Sequence, residues 1–204
     1  DLEIINFADD KDIIFKSDDG SGGVAEYFRL DGSLGYTVAS KHILLDDSVR
    51  LRVGSSADLE IKHDGSNSYI SQGGTGDLYI QQNTNDKDLV LQCDDGSGGT
   101  TAYITLDGSH AKTIMGKTVH FDDNVKIQMG SYASPDLEIY HDGSNSYIRD
   151  VGTGNLIITS SQFTFSNPAD NEYMAKMVEN GTVELYYNGS KKLETVTGGV
   201  NITG

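Results

Sequence analysis

The chain has 204 residues, of which 24 are glycine and none is tryptophan, and its formal net charge at pH 7 is -16. Such an acidic chain repels nucleic-acid phosphates and anionic lipids, and its Lys and Arg residues form no basic stripe, so nucleic acid is not an expected partner. No segment approaches the roughly 20 apolar residues of a membrane-spanning helix, so membrane insertion is not expected either.

The sequence of the first part of the chain recurs 76 residues further on. The segment DLEIINFADDKDIIFKSDDGSGG at residues 1–23 aligns with DLYIQQNTNDKDLVLQCDDGSGG at residues 77–99, and the shared DKD and DDGSGG set the register. Ser134 and Pro135 then form a two-residue insertion, after which the shift becomes 78 residues. Self-similarity at a fixed period indicates a repeated structural unit rather than an active site, which a fold builds once.

The alignment divides the chain into three parts. We predict repeat copy one at residues 1–76 and repeat copy two at residues 77–154. Residues 155–204 form a divergent third copy, which is a cap or the transition to a downstream domain. Copy one begins in the middle of the motif, so we expect at least one further unit upstream in the natural chain.

Within each copy, apolar and polar residues alternate over four to seven positions, which is typical of β-strands. The Asp-Gly, Asn-Gly and Gly-Ser pairs between these runs tolerate the positive φ that tight turns require. In copy two the predicted strands are residues 89–93, 101–106 and 125–129, and DLEIYHDGSNSYI at 136–148 is a predicted hairpin that turns at Asp142-Gly143.

The third copy carries the strongest hairpin signal, because VELYYNGSKKLETV places Asn188-Gly189 between two alternating runs. NEYMAKMVEN at residues 171–180 comes nearest to a helical period and is equally compatible with a strand. No longer window has a period of 3.6, so the predicted fold class is all-β.

The apolar side chains are mostly single Leu, Ile and Val residues on one face of each strand. Such a unit cannot close a thick core alone, so neighbouring units or other chains must cover it. We therefore expect an elongated, repetitive fibre of short strands and hairpins in which three chains intertwine into a homotrimeric β shaft. A single-chain β-solenoid is the alternative, and periodicity alone does not decide between them.

Acidic pairs recur together with their turns, and we interpret them first as turn residues. The pairs are Asp18-Asp19, Asp46-Asp47, Asp94-Asp95 and Asp122-Asp123. A general acid and base of this kind would indicate a glycosidase, but adjacent carboxylates on a strand point to opposite faces. The pairs are also duplicated, so mutation of one pair would leave the equivalent pair in the other copy intact. Oxygen ligands in Gly-rich loops also suit Ca²⁺, so Asp94 and Asp95 are candidate cation ligands, although DDGSGG lacks the spacing of an EF-hand loop.

His63 and His141 occupy equivalent positions before the predicted turn and are candidate metal ligands. In a threefold assembly, three copies of each would surround an axis and hold a metal ion. The alternative is a surface histidine beside a turn. No other cofactor is expected, and Cys93, which aligns with Ser17, is interpreted as a small strand residue rather than a reactive thiol.

Two long segments carry a resemblance to a known class of proteins. DLEIYHDGSNSYIRDVGTGNLIITSS at residues 136–161 and MVENGTVELYYNGSKKLETVTGGVNITG at residues 177–204 resemble segments of tail fibre and other virion structural proteins of marine tailed bacteriophages, notably those that infect cyanobacteria. The resemblance implies a homotrimeric fibre located in the virion tail, with host recognition at a distal tip. It also implies other virion tail proteins as partners, and a host surface glycan that is bound by a part of the fibre outside this segment.

Three functions remain open at this stage. The first is a structural shaft module that displays a host-recognition tip and has no enzymatic activity. The second is a monomeric β-solenoid adhesin or carbohydrate-binding array, in which Tyr69, Tyr140 and Tyr147 would stack on sugars. The third, a polysaccharide-cutting spike, has the least support because no unrepeated acidic pair is present.

Overall fold

The computed structural model describes all residues from Asp1 to Gly204, and it contains seventeen β-strands and no helix. No helix is thus available that is long and apolar enough to cross a membrane. The strands are β1 Ile13–Asp18, β2 Val24–Asp31, β3 Tyr36–Ala39, β4 Arg50–Val53, β5 Leu59–His63, β6 Ser68–Gln72, β7 Leu89–Asp94, β8 Thr100–Asp107, β9 Lys112–Met115, β10 Ile127–Ser131, β11 Ser134–His141, β12 Ser146–Asp150, β13 Gln162–Ser166, β14 Tyr173–Val178, β15 Val183–Tyr187, β16 Ser190–Val196 and β17 Gly199–Ile202. The all-β prediction is confirmed.

The strands form five separate sheets. Four sheets have three strands each, in the orders β1-β2-β3, β4-β5-β6, β7-β8-β9 and β10-β11-β12, and the fifth has five strands in the order β13-β14-β15-β16-β17. Hydrogen-bonded neighbours are consecutive in sequence in every sheet, which is the order of an antiparallel meander. A solenoid instead stacks successive coils, and the structure contains none.

Strand positions follow the sequence repeat. Strands β7, β8 and β9 have the bounds of β1, β2 and β3 shifted by 76 residues, and β12 has the bounds of β6 shifted by 78. Copies one and two thus contain two three-stranded sheets each, residues 155–204 contain the five-stranded sheet, and the predicted boundaries after Gly76 and Gly154 lie between strands.

The chain divides into two compact units. The first comprises Asp1–Leu89 and Asp107–His110 and holds β1 to β6. The second comprises Val90–Leu106 and Ala111–Gly204 and holds β9 to β17 with most of β7 and β8.

The hairpin predicted in the third copy is confirmed, and the ambiguous segment before it is a strand. Asn188 and Gly189 connect β15 to β16 and both have positive φ, 50° and 70°. This is the backbone of a type I′ turn, whose twist matches that of the flanking strands. NEYMAKMVEN supplies β14, which pairs with β13 and β15.

The two-residue insertion lengthens one hairpin. Ser134 pairs with Ser131, and Pro135 pairs with Gly130 across a register shift in β10. Proline has no N–H to donate and is tolerated at bulges and where a strand has one neighbour. Both conditions hold, because β12 begins to pair with β11 only at Leu137.

No hydrophobic side chain of the chain is buried. The two buried residues are carboxylates, Asp31 and Glu138, with 7% and 6% of their surface exposed. The accessible surface of the chain is 16547 Å², whereas a compact monomer of this mass exposes roughly 9,300 Å². The sheets therefore keep their apolar faces in solvent within a single chain.

Candidate functional site: aspartate turns and exposed sheet faces

The DDGSGG loops are organised by their second aspartate. Asp95 Oδ1 accepts hydrogen bonds from Ser97 N (2.7 Å), Ser97 Oγ (2.8 Å) and Gly99 N (3.1 Å). Asp19 accepts the same three bonds from Ser21 and Gly23 in the first copy. The Ser97 hydroxyl and the two backbone N–H groups favour the ionised carboxylate and lower the pKa of Asp95. These acidic residues therefore close turns.

The four candidate metal ligands each have hydrogen-bond partners close in sequence. Asp94 Oδ1 accepts from Gly96 N at 2.5 Å, and Asp95 closes the same loop. His63 Nδ1 lies 3.1 Å from Ser68 Oγ, and His141 Nδ1 lies 3.1 Å from Ser146 Oγ. No group of three or more His, Cys, Asp or Glu side chains in the chain is arranged to hold a metal ion. A site that gathers histidines from three chains stays a prediction.

The HDGSNSY segment is a turn held by an aspartate and a tyrosine. Asp142 Oδ1 accepts from Asn145 N (2.7 Å) and Ser144 N (2.9 Å), and Oδ2 accepts from the Tyr147 hydroxyl at 2.8 Å. These bonds, with that of Asn145 foremost, lower the pKa of Asp142 to about 2. The shared hydroxyl in turn raises the pKa of Tyr147.

The same brace is present in copy one, where Asp64 Oδ2 accepts from the Tyr69 hydroxyl at 2.8 Å. The recurrence of this tyrosine is thus explained by the turn. Around it the two copies differ. The Tyr147 ring stacks on Tyr140 with 4.7 Å between ring centres, whereas in copy one Lys62 Nζ lies 5.0 Å from the centre of the Tyr69 ring.

One face of the β10-β11-β12 sheet is charged. Glu138 on the central strand accepts from Lys126 Nζ at 2.9 and 3.0 Å and from Gln128 Nε2 at 3.1 Å, and Arg149 Nη1 lies 3.9 Å away. Lys126, foremost, and Gln128 lower the pKa of Glu138. In copy one Glu60 lies 3.4 Å from Arg50 and 3.0 Å from Arg52. This cluster was not predicted, although its sequence signal is visible: basic or amide residues stand two positions apart in or next to the strand that pairs with Leu-Glu-Ile.

The opposite face of the same sheets is apolar. The register places Ile127, Ile139 and Ile148 side by side across β10, β11 and β12. In the β4-β5-β6 sheet the equivalent row is Leu51, Ile61 and Ile70. All of these except Ile139 are exposed, and Ile139 is only partly covered. We refer to these rows as the copy-two row and the copy-one row.

An open groove lies beside each row. The copy-two groove has a volume of about 470 Å³ and the copy-one groove about 400 Å³. Every residue that lines the copy-one groove has its counterpart, at a shift of 76 or 78 residues, in the copy-two groove. The apolar lining residues in copy two are Val119, Phe121, Val125, Ile127, Ile139 and Ile148. The grooves are thus a property of the repeat.

A scan against protein-family models and searches of curated proteins and of solved structures found no match to the chain.

Proposed function

We propose that the chain is a structural module of a phage tail fibre shaft, which assembles with copies of itself into a homotrimer and holds a host-recognition tip. The single observation that carries the proposal is that a repetitive all-β chain buries none of its hydrophobic side chains. Burial of apolar surface is the main favourable term in folding and association. The chain thus gains most of its stability by covering its sheet faces with other chains.

The amount of uncovered surface supports an extensive contact between chains. The accessible area exceeds that of a compact monomer by roughly 7,000 Å². Obligate interfaces bury on the order of 2,000–5,000 Å² and are more hydrophobic than transient ones. Three intertwined chains would cover the apolar rows and also protect the free edges of the small sheets.

The polar groups support a structural role rather than catalysis. The carboxylates of the DDGSGG and HDGSNSY turns accept hydrogen bonds from the backbone of their own loops. Those of Glu60 and Glu138 pair with basic residues on neighbouring strands. Together with the resemblance to marine phage fibres, this favours a location in the virion tail. Other tail proteins are then partners, and a host glycan is bound by another part of the fibre.

The proposal is tested by light scattering coupled to size-exclusion chromatography in a buffer of seawater ionic strength. We expect a mass near three times 22.0 kDa, with the early elution of an extended particle. A mass of one chain would contradict the proposal. It would instead favour a monomeric adhesin, for which binding to a glycan array is the next measurement.

A further inference from the structure

Three short segments have the sequence pattern of strands but no partner in the chain. They are residues 1–5, 77–81 and 155–159, which recur at shifts of 76 and 78. None of them is part of a strand, and no backbone hydrogen bond involves them. Each carries a leucine and, two positions on, an isoleucine: Leu2 and Ile4, Leu78 and Ile80, Leu156 and Ile158. All six side chains are exposed.

Such a segment is incomplete as it stands. Its backbone N–H and C=O groups have no backbone partner in the chain, although such groups are strong donors and acceptors. Residues two apart on an extended chain share a face, so Leu156 and Ile158 would present one apolar side as a strand. An edge strand of a sheet is incomplete in the complementary way, because one side of its backbone is unpaired. A segment of this kind adds to an edge as a further strand, and apolar side chains in alternate positions then contact the sheet.

Two of the segments stand in the same relation to an edge strand. The segment 77–81 begins five residues after β6 ends at Gln72, and the segment 155–159 begins five residues after β12 ends at Asp150. Both β6 and β12 are edge strands, and both end their apolar row with an exposed isoleucine, Ile70 or Ile148. If two copies of the chain align in parallel and in register, each segment of one copy lies at about the same height as the equivalent edge strand, β6 or β12, of the other copy.

We propose that residues 155–159 of one copy pair with the free edge of β12 in a second copy, and residues 77–81 with β6, each as a fourth strand. The inference rests on the proposed self-assembly and specifies its contacts. Ile158 then lies beside Ile148 and extends the copy-two row across the chain boundary, as Ile80 extends the copy-one row beside Ile70. Two such contacts in each chain reinforce one another, because the first brings the second within reach.

The same chain does not supply this strand. After β12, Asn155 and Leu156 line one pocket with Asp136 and Leu137 of the central strand β11 and with Asp150 at the end of β12. No backbone hydrogen bond joins residues 155–159 to β12 of their own chain. The apolar row and the groove beside it are left open by their own chain, and the area still uncovered suits an obligate interface of like chains.

The test is a cysteine pair, Ile148→Cys with Ile158→Cys, in a chain whose exposed Cys93 is replaced by serine. Chains grown in ¹⁴N and ¹⁵N media are mixed during assembly, and a short bismaleimide links thiols that lie side by side. We expect covalent dimers and trimers of the 22.0 kDa chain on a denaturing gel, with linked peptides of hybrid ¹⁴N/¹⁵N mass. The pair Ile70→Cys with Ile80→Cys should behave in the same way.

The matched control is Arg149→Cys with Ile158→Cys. Arg149 adjoins Ile148 on β12 and is similarly exposed, 58% for its side chain against 63% for Ile148, but it faces the charged side of the sheet. Three results would overturn the strand pairing while leaving the proposed function intact. They are equal linking in the test and control pairs, linked peptides of unmixed isotopic mass only, and no linking in a chain whose light scattering gives the mass of a trimer. A single-chain mass would overturn both.

Discussion

The aspartate and tyrosine that recur in the HDGSNSY turns make hydrogen bonds that hold the turn. Tyr147 occupies the position equivalent to Tyr69, and the hydroxyl of each donates a hydrogen bond to the aspartate of its turn, Asp142 or Asp64. The aspartate recurs because its other oxygen, Oδ1 in Asp142, accepts hydrogen bonds from two backbone N–H groups of the loop. A charged acceptor strengthens each of these bonds. The repeated HDGSNSY sequence therefore forms the same turn in both copies.

Removal of the Tyr147 hydroxyl should release part of the constraint on Asp142. In Tyr147→Phe we expect the pKa of Asp142 to rise from about 2 but to stay below 3.8, because the Asn145 and Ser144 N–H bonds remain. Carboxylate chemical shifts in an NMR titration measure the change. The control is Tyr140→Phe, which keeps the stacked ring; a similar shift in that variant would show that the hydroxyl is not responsible.

The lowered carboxylate pKa values also set the response to acid. Asp142 and Glu184 each have a folded pKa of about 2, below ordinary values of 3.8 and 4.5, and for Glu184 the Tyr186 hydroxyl is the main cause. A depressed pKa contributes stability that is present above the unfolded pKa and is lost as pH falls toward the folded one. We expect the melting temperature to fall between about pH 5 and pH 2, and Asp142→Asn to flatten this slope. A steeper slope in Asp142→Asn would contradict this assignment.

At the scale of elements, the hairpin turns depend on backbone conformations that few residues accept. Gly189 has φ of 70° and Gly143 has φ of 91°. This region is open to glycine and strained for residues with a Cβ. The asparagine that precedes Gly189, also at positive φ, is one of the few other residues that tolerates it. Turn chemistry therefore specifies where each strand ends.

Alanine at Gly189 should destabilise the β15–β16 hairpin by about 1 kcal/mol, through strain at positive φ. Gly198→Ala is the control, because Gly198 has no positive φ and nothing lies within 4 Å of an added Cβ. Urea unfolding at one fixed chain concentration measures both, since the stability of an oligomer depends on concentration. Equal destabilisation by the two substitutions would show that turn strain is not the cause.

At the scale of the whole molecule, charge and apolar surface act in opposite directions. Each chain carries a net charge of -16, and the proposed self-assembly would bring these charges together. The apolar rows favour assembly, whereas like charges oppose it. Salt screens the second effect, because the Debye length falls to about 4 Å at the ionic strength of seawater, near 0.7 M.

Stability should therefore rise with ionic strength. We expect a lower melting temperature in low salt than at about 0.7 M NaCl, measured by circular dichroism at constant chain concentration. Potassium chloride at equal ionic strength should have the same effect, because screening does not depend on the cation of the salt. A melting temperature unchanged between low and high salt would contradict the electrostatic explanation.

Much of the fold was predictable because its signals are local. The strand predicted at residues 89–93 is β7 with one residue added, and the Asn188-Gly189 turn lies where expected. The strand predicted at 125–129 is Ile127–Ser131, and it ends two residues later than predicted because Gly130 and Ser131 pair with the inserted Pro135 and Ser134. The charged cluster around Glu138 was not predicted, since its partners are 10 and 12 residues away.

The sequence by itself determined the class of fold, the repeat and the turns, because alternation, Asp-Gly pairs and self-similarity are properties of neighbouring residues or of aligned copies. Only the tertiary structure decided which side chains meet. Strand register places Ile127, Ile139 and Ile148 in one exposed row and Glu138 among basic groups on the other face. The alternation in the sequence predicted strands with one apolar face that needs cover, but register joins residues distant in sequence, so which apolar side chains form the row was decided only by the tertiary structure.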